Sequence, residues 1–246
     1  AYFDRTYLAP NLAIAAAGHF DHDRLRALVE RAFANLPAQV SAADAEPPVV
    51  TPGLVIREKD IEQSHVCLGT LARPQTHADR HAIFVMNTIL GGSMSSRLFQ
   101  HIREDRGLAY AVWSSLISYS DAGALTIYAG CAVERVHEVI DLTLAELALL
   151  RGTAVEVEEL RRAKDHLKGS LMLNLESTSS RMSQLARQEL MFGHQFTMDE
   201  ILGSIEAVTA DDVLRVSQEL FRDGVAVATV VGPAMAGTLT MDKLKV

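Results

Sequence analysis

Two histidines stand one helical turn apart in the run His77-Ala78-Asp79-Arg80-His81. On a helix that spacing puts both imidazoles on one face, a workable arrangement for two ligands of a tetrahedral metal ion. A catalytic metal needs a third protein ligand and a base, and neither is evident near this pair. Exposed histidines at a helix start are the simpler expectation, and no metal ligand is assigned in this chain. The other histidines are dispersed. His19 and His22 flank a turn, His101, His137 and His166 fall on helix surfaces, His194 follows Gly193 in a loop, and His65 reads as a packed or edge residue of a strand. Cys67 and Cys131 are too few for a disulfide framework or a four-thiolate zinc site. Gly91-Gly92 reads as a helix stop rather than a phosphate cradle, because no strand leads into a phosphate-binding pattern.

The elements that must hold these residues follow from apolar periodicity. The opening Ala1-Tyr2-Phe3-Asp4-Arg5-Thr6-Tyr7 reads as an internal start, so the sequence is expected to be part of a longer one. Tyr2, Phe3 and Tyr7 share a face if that piece is helical. Leu12 to Ala17 reads as a buried strand ended by Gly18. Asp21 caps a helix to about Asn35 with Leu25, Leu28, Val29, Ala32 and Phe33 inward. From Pro37 to Pro48 the composition is that of a linker. Strands are expected at Leu54 to Arg57 and Ser64 to Ala72, then a helix capped by Thr76 or Asp79 that stops at Gly91-Gly92. A second helix starts near Ser93 and carries Leu98, Phe99 and Ile102. Ala109 to Tyr119 and Ala124 to Ala132 form a hairpin through Ser120-Asp121-Ala122-Gly123. Long helices follow, Glu134 to Arg151 and Val155 to Met191, the latter with a kink at Gly169 or Glu176-Ser177. A helix capped by Thr209, with Asp212 at capping-box distance, leads to a strand at Val225 to Val231. Tyr2 to Gly18 echoes Asp212 to Gly232, which suggests two related modules.

Composition removes several classes of function. The 246 residues carry a net charge of -8 and 48% hydrophobic residues, so a sizeable core is available. The acidic balance, without any Lys/Arg-dense stretch, argues against nucleic acid. No apolar run approaches the roughly 18 residues of a membrane span.

The sharpest signal is Ile89-Leu90-Gly91-Gly92-Ser93-Met94-Ser95-Ser96-Arg97-Leu98-Phe99, followed by Arg103-Glu104-Asp105-Arg106-Gly107-Leu108-Ala109-Tyr110. Together these blocks resemble the second half of the pitrilysin/insulinase-type zinc metallopeptidases, in particular mitochondrial processing peptidase and its bacterial relatives. The resemblance implies an α/β (α+β) two-layer domain with a mostly antiparallel sheet and helices on one face. Residues 1–37 then look like the tail of a zinc-bearing first half, 38–50 like the linker, and 51–246 like the C-terminal peptidase-family domain. The family's His-x-x-Glu-His motif does not occur here and would lie before Ala1. Zinc is therefore expected in the full-length enzyme and not in this chain, which alone should be inactive. The resemblance also gives Arg103 and Tyr110 a role. In the family an Arg and, seven residues on, a Tyr reach the substrate at the zinc, one orienting the peptide and the other donating to the oxyanion. Without that resemblance they are a helix end and a strand start. The implied partners are a peptide substrate and the missing N-terminal half or a zinc-bearing subunit, with a homodimer as a further option. The alternative is a non-catalytic or structural subunit of a two-chain complex.

Overall fold

In this computed structural model the described residues are 3, 6–39, 48–222, 227–233 and 239–245. They divide into two compact units, residues 1–47 with 171–197, and residues 48–170 with 198–246.

The larger unit is built on one five-stranded sheet. Its strands are β1 (Gly53–Glu58), β2 (Ser64–Ala72), β3 (Ala109–Ser118), β4 (Gly123–Cys131) and β5 (Val227–Gly232), in the order β1-β5-β2-β4-β3. Only β1 and β5 run parallel; β5-β2, β2-β4 and β4-β3 are antiparallel. The β3-β4 hairpin closes where expected, with the Tyr119 N–H donating to Ala122 O at 2.7 Å. Helices α2 (Arg80–Leu90), α3 (Val136–Gly152) and α7 (Ala210–Leu220) cover one face of the sheet. The alternation of strand side chains sets that face. Val66, Leu68, Leu125, Ile127, Ala228 and Val230 are all buried, and they join Met86, Leu90, Ile140, Leu147, Val213 and Phe221 from the helices in one core. Full burial of each large side chain contributes about 1.5–3 kcal/mol. The helix α7 begins with the expected capping box: the Asp212 N–H donates to Thr209 Oγ1 at 3.1 Å, and the Thr209 N–H to Asp212 Oδ2 at 2.9 Å.

The other face of the sheet carries one cross-strand row after another. Val55, Thr229, Cys67, Tyr128 and Trp113 stand in register across all five strands. Trp113 and Val55 keep 42% and 45% of their surface exposed, as do Leu71 (49%) and Ile117 (49%) further along. Within this unit that face is open.

Several expectations are corrected. Leu12 to Ala17 forms no strand; a 3-10 turn at Ala9–Asn11 precedes it, and Leu12 and Ile14 stay exposed because no described strand pairs with the run. The echo of Asp212 to Gly232 in the first residues therefore lacks its strand. Tyr2 lies outside the described residues, while Phe3 and Tyr7 stack with centroids 4.4 Å apart. The helix after Asp21 does form, as α1 (His22–Phe33), with Asp21 Oδ1 accepting from Arg24 N at 2.8 Å. Its expected inner face buries nothing: Leu28 and Phe33 are 44% and 45% exposed. Residues 40–47 of the anticipated linker and 225–226 of the last strand also lie outside the described residues. The long helix expected over Val155 to Met191 is two, α4 (Val157–Asn174) and α5 (Thr178–Phe192), and the break at 175–177 falls at Glu176-Ser177, one of the two places where a kink was expected, and not at Gly169. Ser177 caps the second, and Gly193 at φ 69° ends it. α4 contributes Ala163 to the core, with Leu160 and Leu167 half-buried against it, and α5 buries only Gln188. A further helix, α6 (Met198–Glu206), occupies a stretch that periodicity left unassigned.

Candidate functional site

The segment expected to be a helix from Ser93 is tighter and more irregular. Turns occupy 91–96, and Phe99–Glu104 makes a π-helical turn in which the Asp105 N–H donates to Gln100 O at 2.8 Å. Such i→i+5 turns concentrate at functional sites because they re-aim side chains at the cost of regular hydrogen bonding. Gly107, at φ 61°, reverses the chain, and its N–H donates to Arg103 O at 3.1 Å. The segment is pinned from below. Leu98 and Ile102 are fully buried. Arg97 makes a bidentate pair with Glu159 at 2.8 and 2.7 Å, and His101 Nδ1 sits 2.6 Å from Glu146 Oε1. Planar guanidinium–carboxylate pairs of this kind fix orientation as well as position.

On that support Arg103 and Tyr110 come together. The Arg103 guanidinium lies over the Phe99 ring at 4.7 Å and 5.9 Å from the Tyr110 ring centroid. A register shift between Ala109 and Ala111 makes Tyr110 the extra residue of a β-bulge, a device that turns a side chain out of the ladder. Tyr110 is 76% exposed, and the Arg103 side chain 42%. Arg103 stacks on Phe99 and lies 3.8 Å from Glu104 Oε1, yet both side chains keep solvent-facing surface at the end of the sheet where β3 begins.

The histidine pair behaves differently. His77 Nδ1 accepts the Asp79 N–H at 3.1 Å. Asp79 does not cap α2 with its side chain; it forms a bidentate pair with Arg215 of α7, at 2.6 and 2.9 Å, which holds its carboxyl below the usual range. His81 Nδ1 is buried without a hydrogen-bond partner among the described residues, and burial, with Arg80 nearby, lowers its pKa to about 4. Among the described residues no three of His, Cys, Asp and Glu stand close enough together to hold a metal ion. These side chains do not fit a zinc site. Nor are the thiols poised for nucleophilic work, since burial raises Cys67 and pushes Cys131 up to about 11.

His81 has a consequence for stability. Its folded pKa lies below the unfolded value of 6.5, so between pH 6.5 and 4 only the unfolded chain takes up the proton. Stability should therefore fall as pH drops through that window and be unaffected above it. Between pH 7 and 4.5 wild type should lose roughly 1–2 kcal/mol more than His81→Gln, the ring being only partly buried. Urea unfolding of both at the two pH values reads the difference; equal losses would show that His81 does not titrate in this way.

His65, set aside in the sequence as a packed or edge residue, is outward-facing and exposed on β2, with Nδ1 2.7 Å from the Tyr128 hydroxyl. Tyr128 in turn stacks on Trp113, centroids 5.2 Å apart. The signal was available in the alternation of β2, β3 and β4, which places all three on the open face once the hairpin register is known. No helix among the described residues is long and apolar enough to cross a membrane.

Residues 1–167 match the family model described as the peptidase M16 inactive domain. The chain is 37% identical over 229 residues to the uncharacterized zinc protease YmxG of Bacillus subtilis, covering 93% of this chain and 56% of that protein. It is 38% identical over 234 residues to an uncharacterized zinc protease of Mycobacterium tuberculosis, covering 93% and 53%. It thus spans about half the length of the curated relatives it matches. In fold it is similar to the peptidase M16 inactive domain from Pseudomonas fluorescens, with TM-score 0.78 at 22% identity over 89% of this chain and 53% of that one. A chain of complex III2 from Candida albicans gives TM-score 0.76 at 22% identity over 87% and 53%. The family model covers well over half of the sequence, the blocks around Gly91-Gly92 and Arg103 to Tyr110 lie inside it, and the chain belongs to the peptidase M16 family, carrying its inactive domain.

Proposed function

We propose that this chain is the substrate-facing half of a zinc-dependent endopeptidase whose metal site lies on a zinc-bearing half or subunit. One observation carries the reading: Arg103 and Tyr110 converge, exposed, on a pinned π-turn and a β-bulge at the end of an open sheet face. A guanidinium pairs with peptide carbonyls or carboxylates without losing its charge. A phenol O–H donates to the oxygen on which charge develops when a peptide carbonyl is attacked. The open face, with Trp113, Ile117 and Leu71 exposed, supplies one wall of a chamber for an extended peptide. The kinetics of Tyr110→Phe and Arg103→Ala test this directly. A structural subunit of a two-chain assembly is the second reading, favoured by the likeness in fold to the complex III2 chain; it requires both substitutions to be silent.

The metal part of the proposal has its own test. His77 and His81 leave a site short of a third ligand and a base, so the 246-residue chain, washed with chelator, should retain far less than one zinc per molecule and show no chelator-sensitive hydrolysis of peptides. Stoichiometric zinc by elemental analysis would refute the assignment of the metal to another half.

A further inference from the structure

Where β2 and β3 begin, the loop after β1 and the two strand starts enclose an open concavity of about 710 Å³ that contains Tyr110 and His65 together with Lys59, Glu62 and Gln63. In the ladder His65 stands opposite Gly130, and Gly130 opposite Ala111. The row beside the imidazole therefore carries no bulky side chain of its own on β4 or β3, and the space above the buried Gly130 is taken by the side chains of Tyr128 and Gln63. A Cβ at position 130 would lie 3.1 Å from the Tyr128 hydroxyl and 3.2 Å from Gln63 Oε1, so glycine is what lets these polar atoms converge. Trp113 and Tyr128 are direct cross-strand partners and stack at 26° between planes. The stack fixes the phenol ring, and the phenol oxygen, 2.7 Å from Nδ1, fixes the imidazole.

That bond decides where the imidazole proton sits. A phenol O–H is a stronger acid than a neutral imidazole N–H, so Tyr128 donates and His65 Nδ1 accepts. The ring's own proton is then on Nε2, and no hydrogen bond from Nε2 is made to the described residues. The result is an oriented N–H donor in the same concavity as Tyr110. The charges beside it are opposed, Lys59 against Glu62, so the concavity does not select a free anion. A neutral acceptor suits it better.

We propose that His65 is a substrate-contacting residue that donates from Nε2 to a backbone carbonyl of the peptide engaged by Tyr110, with Tyr128 as the positioning residue that sets its tautomer. This deepens the peptidase reading given above and rests on it. The contact is to main chain, so it acts on every peptide alike, and it is made in the bound ground state as well as later. Its loss belongs in KM rather than kcat.

The test uses two amides. The side-chain nitrogen of Gln reaches the place of imidazole Nε2, whereas that of Asn reaches only the place of Nδ1. In the zinc-bearing assembly His65→Gln should keep KM within about twofold of wild type. His65→Asn should raise it roughly five- to tenfold, the worth of one neutral hydrogen bond, with kcat within about twofold. In the 246-residue chain, ¹⁵N NMR of the His65 ring should place the proton on Nε2, and Tyr128→Phe should give a mixture of tautomers. Equal KM values for the Gln and Asn variants, or a proton on Nδ1 in wild type, would overturn the proposal. Tyr110→Phe run beside them separates the two claims. If it is silent while His65→Asn raises KM, the role of Tyr110 fails and the contact at His65 stands; if it is damaging while Gln and Asn behave alike, the reverse holds.

Discussion

Tyr110→Phe should lower kcat on the order of 10²–10³-fold in the zinc-bearing assembly, the usual effect of losing one oxyanion donor. The change removes one hydroxyl from a side chain that is 76% exposed and projects from a bulge. Little packing is lost, so stability should barely move, and the deficit can be assigned to chemistry. Arg103→Ala should differ in kind. Its guanidinium lies over Phe99 at 4.7 Å and 5.9 Å from the Tyr110 ring, so the substitution removes both an orienting contact to the peptide and a support for the phenol. KM should rise along with a fall in kcat, because an orienting contact is made to bound substrate and transition state alike. Zinc content should be unchanged in both variants. The measurement is kcat, KM and bound zinc on one peptide substrate; near-normal kcat/KM in both variants at full zinc occupancy would return Arg103 and Tyr110 to the status of a helix end and a strand start.

The elements around this site were legible because their patterns are local. Alternation marks β2 at Ser64–Ala72, the Asp121-Ala122-Gly123 turn marks the hairpin, and Thr209 with Asp212 marks the start of α7. What escaped depended on partners far away in the chain. The run from Leu12 to Ala17 is apolar enough for a buried strand, yet a strand exists only where another pairs with it, and no described one does. The segment after Ser93 has helical apolar spacing at Leu98 and Ile102, and the structure keeps both buried. It nevertheless adopts the π geometry of Phe99–Glu104, with ion pairs to Glu159 and a bond to Glu146 from 45 to 62 residues further on. Arg103 and Tyr110 enter the proposed site only through a resemblance, since an arginine and a tyrosine seven apart are commonplace. His65 was missed for the opposite reason. A lone histidine in a strand carries no signal until register sets it beside Tyr128, 63 residues away.

Gly91→Ala tests how that site is held in place, and it should be the costliest single methyl in the larger unit's connection between α2 and β3. Sequence alone reads Gly91-Gly92 as a helix stop, a role that needs conformational freedom. The structure gives a different reason. Gly91 sits at φ −158°, ordinary extended backbone that any residue adopts. A Cβ there would lie 2.6 Å from the Ser114 backbone nitrogen and 2.7 Å from Ser114 Oγ. The end of α2 is docked directly on β3: the Ser114 N–H donates to Gly91 O at 3.0 Å, and Ser114 Oγ to Asn87 Oδ1 at 2.8 Å. Since the obstacle is backbone, alanine must push helix and strand apart. Overpacking of this kind costs about 1–3 kcal/mol, and stranding the buried Ser114 groups about 1–3 kcal/mol more. A net loss of about 3 kcal/mol is expected, seen as a lower urea midpoint at unchanged slope. Gly107→Ala is the control. Gly107 has the left-handed φ of 61° but nothing within 4 Å of an added Cβ, so its cost is conformational only, about 1 kcal/mol. Tyr110 lies four residues before Ser114 on the same strand, so Gly91→Ala should also impair the site in the assembled enzyme. Stabilities that fall equally in the two alanine variants would mean that the glycine pair serves the turn and not the docking of β3.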